Sequence, residues 1–195
     1  MTIYQLAPVS DENYSRFSTS YASTQTGGLN SGSSTDTSFR VGDSFVSPNY
    51  LGSGGFWEFD TSGVPVGTPD QIALSLVASD TTNSSGSDNE LEFRENTGAN
   101  VWQEAADLSG LTLFGEITGG ISSTGRKDIV CGLSDISRTS SYNIIGHSSG
   151  RRLGNAPLAL EQCNTFYASE QSGTSDDPYL EIDLPSAGRA FGFIM

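Results

Sequence analysis

The 195-residue sequence contains few basic residues. Nine Lys and Arg side chains stand against 23 Asp and Glu, which gives a formal net charge of −14, and Lys127 is the single lysine. Proteins that bind nucleic acids neutralise phosphates with basic side chains, so this composition excludes a nucleic-acid partner. The acidic excess favours solubility, and a field that repels other anions is the alternative interpretation.

Long apolar runs are also absent. The best stretch, Ile72 to Ala78, is interrupted by Ser75 and is far too short to cross a bilayer, so no membrane partner is predicted. Residues 1–6 lack the basic start and the apolar run of a secretory signal. We therefore expect a chain without an export signal that is made in the cytoplasm.

Histidine and cysteine are scarce, which limits the available chemistry. His147 is the single histidine, and with Cys131 and Cys163 it lacks the ligand spacings of zinc sites, so no metal or cofactor is predicted. The two cysteines permit one disulfide, although two buried thiols are favoured in a cytoplasmic chain. Acidic pairs such as Asp176 and Asp177 are interpreted as solvated loop acids, with a structural calcium ion left open.

Gly, Ser and Thr are abundant, and apolar residues alternate with polar ones in several short segments, as is typical of antiparallel strands joined by turns. In one such segment, Leu91 and Phe93 are predicted to face the core while Glu90, Glu92 and Arg94 face water. Strands are predicted at 55–60, 71–78, 89–95, 111–117, 128–133, 142–146, 164–169 and 179–184. One short helix is predicted around 102–108. The pattern predicts an all-β sandwich or barrel.

Residues 15–37 differ in composition from the rest of the chain. Fifteen of these 23 residues are Ser, Thr or Gly, and a segment with so few apolar side chains buries little surface by itself. We interpret it as an extended N-terminal arm or loop. The opposite end, residues 185–195, is an apolar C-terminal extension that should be covered, because exposed apolar patches promote aggregation.

Two short motifs are similar to those of serine hydrolases. Residues 146–150 match the G-x-S-x-G nucleophile elbow, and Gly42, Asp43 and Ser44 are similar to the G-D-S block of an esterase and lipase family. Both arrangements need a base histidine farther along the chain, but the single histidine lies inside the first motif. We interpret 146–150 as a Gly/Ser-rich turn and predict a non-enzymatic protein. A jelly-roll glycosidase or lyase stays open only because carboxylates are plentiful.

Several segments, taken in order, resemble a known family. Residues 11–14 form an acidic-aromatic start, and 56–68 are similar to a strand that enters a Ser-Gly-hydrophobic-Pro-x-Gly turn. Residues 166–170 and 178–182 resemble a closing pair of strands. The chain thus resembles β-jelly-roll modules of the DNRLRE or carbohydrate-binding-module-like type, present in bacterial surface proteins and, as free-standing chains, among bacteriophage structural proteins.

The resemblance implies an antiparallel β-sandwich of jelly-roll type, with one domain over residues 1–184. It also implies a non-enzymatic virion structural protein assembled in the host cytoplasm, most specifically a capsid decoration or cement protein. The expected partners are the major capsid protein and sister copies in a homotrimer. The residues expected to contact these partners are Phe17, Tyr21, Leu29, Phe191, Phe193 and Ile194.

The alternative is a carbohydrate-binding module that recognises a cell-surface glycan from a tail fibre or baseplate. Sugar rings stack on exposed aromatic faces, and the candidates are Trp102, Tyr142 and Tyr179. Trp57 is predicted to belong to the core instead, because Phe56 and Phe59 are its near neighbours in a central strand.

Overall fold

A computed structural model describes residues 1–25, 31–33, 35–81, 90–96, 105–138, 140–157, 162–169, 172–173 and 175–186. Within these ranges the chain is mostly strand, and every strand pairing is antiparallel, so the all-β prediction is confirmed. The strands are β1 (Thr2–Leu6), β2 (Ser10–Ser18), β3 (Ser31–Ser33), β4 (Ser38–Val46), β5 (Asn49–Asp60), β6 (Gln71–Ala78), β7 (Leu91–Glu95), β8 (Leu113–Ile117), β9 (Gly125–Val130), β10 (Ser141–Ser148), β11 (Gln162–Tyr167) and β12 (Tyr179–Leu184). The helices are α1 (Tyr21–Gln25), α2 (Ala105–Leu108) and α3 (Ser149–Leu153).

The sheet curls so that it resembles a sandwich. Its strands follow the order β1-β12-β6-β11-β4-β5-β10-β7-β8. The long strand β5 pairs with β2 along one edge and with β4 and then β10 along the other. Strand β9 pairs with β6, and just beyond its end the Gly132 amide donates to the Phe114 carbonyl of β8 at 2.8 Å. This contact brings β9, which pairs with β6 near one end of the order, close to β8 at the other end.

The main core lies between two groups of strands that do not pair with each other. Leu74 of β6 and Ile182 of β12 are fully buried in one cluster with Trp57 of β5, Ile144 of β10 and Phe93 of β7. Side chains from such separate strands meet only if the two parts of the sheet face each other. The prediction that Trp57 is a core residue is confirmed.

A second cluster covers the opposite face of β5 and β10. It joins Tyr14, Phe56, Leu108 and Ile145, with Leu111 packed against it. Phe56 and Ile145 alternate with core residues of the same strands, so both faces of these central strands are buried. The simple alternation is wrong for β7, because Glu92 and Arg94, predicted to face water, are 4% and 8% exposed.

The Ser/Thr/Gly-rich segment is part of the folded sheet where the structure describes it. Residues 15–18 complete β2, residues 21–25 form α1, and residues 31–33 form β3 against β2. Strand β2 pairs with β5 over nine positions. The prediction of an extended arm over 15–37 is therefore corrected for these residues, because backbone hydrogen bonding to a neighbouring strand does not require large apolar side chains.

A close contact between Tyr14 and Gly54 holds β2 against β5. The two residues are partners in the register, and a Cβ at Gly54 would lie 2.2 Å from the Tyr14 ring. We expect Gly54→Ala to displace the buried ring and lower the free energy of unfolding by about 1–3 kcal/mol, as measured by urea denaturation. Gly63→Ala is the matched control, because a Cβ there meets nothing within 4 Å. Equal stabilities of the two variants would contradict the expectation.

Candidate functional site

Asp43 is the centre of a buried polar cluster that joins β4 to α1 and α3. Its Oδ2 atom accepts hydrogen bonds from the Tyr21 hydroxyl and the Ser148 hydroxyl, both at 2.6 Å. The residue is fully buried, and burial raises the pKa of the carboxyl, opposed by the Arg151 charge and by the Ser148 and Tyr21 hydrogen bonds. Burial, together with the Asp43 charge, also raises the pKa of Tyr21.

Arg151 supplies the positive charge of this cluster. The guanidinium extends from α3 over Gly52 of β5, where a Cβ would lie 2.6 Å from Nη1 and 3.3 Å from the Asp43 Oδ1. Only glycine leaves room for this approach. The side chain is 1% exposed, and burying a guanidinium requires a compensating carboxylate, so Asp43 and Arg151 depend on each other.

Glu92 lies at the centre of a second charged cluster, on β7. Its carboxylate accepts from the Arg94 Nε and Nη2 atoms at 3.0 and 2.8 Å and from the Arg152 Nε and Nη2 atoms at 2.9 and 2.7 Å. Burial raises the pKa of Glu92, but the hydrogen bonds from Arg152 and Arg94 outweigh burial and hold the pKa at about 2. Arg152 thereby fastens the end of α3 to β7.

His147 is buried between these clusters. Its Nδ1 lies 2.7 Å from the Ser148 carbonyl oxygen, so this nitrogen is the donor, since a carbonyl only accepts. Nε2 lies 3.9 Å from the Glu92 Oε2 and has no hydrogen-bond partner among the described residues. Burial lowers the pKa of the imidazole to about 4, although the Ser148 carbonyl and Glu92 oppose the shift. The histidine is therefore neutral near pH 7.

The hydrolase-like motifs have structural roles here. Residues 146–150 are the junction of β10 and α3, which corrects the prediction of a simple turn. Ser148 is the N-cap of α3: its hydroxyl accepts from the Arg151 amide at 3.0 Å and donates to Asp43. The Ser148 hydroxyl of this motif is therefore bound to the Asp43 carboxylate, and the His147 ring contacts the Ser148 carbonyl. Ser44, the serine of the other motif, is also buried.

Of the residues expected to contact partners, the structure describes Phe17 and Tyr21, and the two differ in exposure. Phe17 of β2 is 54% exposed. Tyr21 is 7% exposed and bonded to Asp43, so it is engaged inside this chain. Leu29 lies outside the described residues, as do Phe191, Phe193 and Ile194.

The three aromatic candidates for sugar stacking have different positions. Tyr142 is 5% exposed and donates to the Glu95 Oε1 at 2.6 Å, so its ring is not an open platform. Tyr179 is half-buried, and the Arg126 guanidinium lies 4.7 Å from its ring centroid, which occupies one face of the ring. Trp102 lies outside the described residues.

Three surface grooves are lined by described residues. The first, about 540 Å³, lies between β8 and β9 and includes the exposed Leu113 and Val130. The second, about 270 Å³, lies between β1 and the 65–67 loop. The third, about 350 Å³, is lined by Glu95, Asn96, Ser137, Ser141, Tyr142 and Asn143. Neither Asp43 nor Glu92 lines any of them, so the two charged clusters have no opening through these grooves.

Exposed large apolar side chains occur on several strands. They include Met1 beside β1 and Ile3 within it, at 67% and 50% exposure, together with Phe17, Leu113 and Val130 on β2, β8 and β9. Strands β1, β8 and β9 each pair with one neighbour among the described residues. Of these five side chains, Phe17 alone belongs to the partner-contact residues that the sequence predicts.

Cys131 and Cys163 are not joined by a disulfide, and burial raises the pKa of the Cys131 thiol to about 11. The described residues include no group of three or more His, Cys, Asp or Glu arranged to hold a metal ion. Among the same residues, no helix has the length and apolar character needed to span a membrane.

Comparisons with protein-family models and with curated proteins find no match for this chain.

Proposed function

We propose that this chain is a non-enzymatic structural protein of a bacteriophage particle, most specifically a capsid decoration or cement protein that binds shell subunits and sister copies. One observation carries the proposal: Ile3, Leu113 and Val130 are exposed apolar side chains on strands that pair with one neighbour among the described residues, whereas the charged clusters are buried and fasten the fold. Contact through sheet edges suits a protein that works by assembly. The resemblance to jelly-roll modules supplies the phage context.

The test is reconstitution on phage shells. Shells are purified from particles that carry the gene for this chain, stripped of decoration, and mixed with the purified protein. We expect saturable binding, measured by co-sedimentation, and greater resistance of the shells to heat. Removal of residues 185–195 is expected to abolish binding without changing the circular dichroism of the fold. Shells that never bind the full chain would refute the proposal.

A second candidate function is recognition of a cell-surface glycan, and the third groove favours it. Carboxylate, amide and hydroxyl groups from Glu95, Asn96, Ser141 and Asn143 meet there, and its volume falls within the range of roughly 300–1,000 Å³ found for small-molecule sites. We expect Asn143→Ala to remove any signal on an array of neutral glycans. Tyr179→Ala, outside this groove, is the matched control. A silent array would remove this alternative.

A further inference from the structure

Strand β1 forms an edge of the sheet without the usual protection. It pairs with β12 in an uninterrupted register from Thr2 opposite Leu184 to Leu6 opposite Leu180, and no described residue pairs with its other edge. Natural edge strands are blocked by charges, prolines or bulges. The five residues of β1 contain none of these, so its backbone amides and carbonyls are available to another strand.

The two faces of β1 have different surroundings. Tyr4 and Leu6 point inward and pack against the main core, whereas Ile3 and Gln5 are exposed on the outer face. The groove beside β1 adds Val66, which is 88% exposed. A neutral and partly apolar strip therefore runs along this edge.

The net charge of the chain limits the places where two copies can meet. The chain carries a net charge of −14, so two copies repel each other through most of their surfaces. The nearest described carboxylates, Glu181 and Asp183, lie on the neighbouring strand β12, and Glu181 accepts a hydrogen bond from the Gln5 Nε2 at 2.8 Å. The five side chains of β1 are uncharged, which makes the strand a place where a second acidic copy can approach closely.

We infer that β1 pairs with β1 of a second copy, antiparallel about a two-fold axis at Tyr4. All five residues then pair: Thr2 opposes Leu6 of the partner subunit, and Ile3 opposes Gln5 of the partner subunit. This inference rests on the proposed function and names one of its contacts. Five paired residues make a small interface, so the dimer is weak in solution and is strengthened when a particle lattice holds the copies together.

The first test is sedimentation velocity of the full chain over about 10 µM to 1 mM, the range of weak complexes. We expect the mass to rise from 20.6 kDa toward twice that value, with a several-fold lower dissociation constant at high salt because salt screens the repulsion. Ile3→Lys, which places a charge on the edge, is expected to raise the constant at least about tenfold. Leu153→Lys is the matched control, since Leu153 is also 50% exposed but lies on α3.

The second test fixes the register. A mixture of Ile3→Cys and Gln5→Cys proteins is oxidised, and the disulfide-linked dimer is quantified by mass spectrometry. Opposed positions on antiparallel strands have Cβ atoms about 4.5–5.5 Å apart, so the mixture should cross-link several-fold more than either variant alone. The native protein under the same oxidant measures the background from Cys131 and Cys163.

Several outcomes would overturn the inference. They are a wild-type chain that stays monomeric throughout, a dimer that Ile3→Lys does not weaken, and dimerisation seen only after residues 187–195 are removed, which would assign the edge to this chain's own end. Shell binding separates this inference from the proposed function. An Ile3→Lys monomer that loses cooperative shell binding supports the pairing, whereas a wild-type monomer that binds shells refutes only the pairing.

Discussion

Asp43→Asn is expected to lower the free energy of unfolding by about 3–5 kcal/mol, because it leaves a buried guanidinium without its carboxylate. Asp43 accepts both the Tyr21 and Ser148 hydroxyls on one oxygen, and Arg151 is 1% exposed beside it. The asparagine amide matches the shape of the carboxylate but cannot balance the charge. Urea denaturation at about pH 8 measures the loss.

The double variant Asp43→Asn, Arg151→Met separates charge imbalance from poor packing. Removal of two buried opposite charges is much less costly than removal of one of them, so we expect the double variant to be more stable than Asp43→Asn alone. Asp36→Asn is the matched control, because Asp36 is exposed and the same chemical change there should stay within about 0.5 kcal/mol. A loss below about 1 kcal/mol for Asp43→Asn would show that the pair is not interdependent.

The sequence pattern predicts the all-β class because alternation depends only on neighbours in the chain. Strands β6 and β12 coincide with the predicted 71–78 and 179–184. The pattern misses β2, because its Ser and Arg side chains interrupt the apolar alternation. This strand is defined by its pairing with β5. The pattern also assigns Glu92 to water, because the two arginines that hold it come from positions 94 and 152.

The candidate site shows the same limit. The G-x-S-x-G spacing correctly marks a strand-to-helix junction, but it does not indicate that Ser148 contacts Asp43, which lies 105 positions earlier. Two weak motifs that look like separate hydrolase fragments are therefore parts of one buried cluster. The sequence carries no signal for this contact, because no strand is predicted around Asp43.

Acid is expected to destabilise the fold in two steps, of which the first is due to His147. The pKa of this buried imidazole is about 4 in the folded chain, below its ordinary 6.5, so the unfolded chain takes up a proton that the folded chain does not. Stability therefore falls as the pH drops from 6.5 to about 4, by at most about 3 kcal/mol, since each pKa unit corresponds to about 1.4 kcal/mol.

The second step belongs to Glu92, whose pKa is held at about 2 by Arg152 and Arg94 against an ordinary 4.5. Its contribution is present above pH 4.5 and is lost as the pH falls toward 2, again by at most about 3 kcal/mol. The other charged groups that face His147 and Glu92 are Arg94 on β7 and Arg151 and Arg152 on α3.

Urea denaturation of the wild type and of His147→Asn at pH 7, 5.5 and 4 tests the first step. Asparagine keeps a donor for the Ser148 carbonyl but does not titrate, so the variant should lose less stability between pH 7 and pH 4 than the wild type. Every carboxylate is present in both proteins, so the carboxylate contributions to the pH dependence cancel in the difference. Parallel pH profiles would mean that His147 is protonated without cost in the folded chain. The 3.9 Å contact with Glu92 would then act as an ion pair, and the two charged clusters would be coupled through the imidazole.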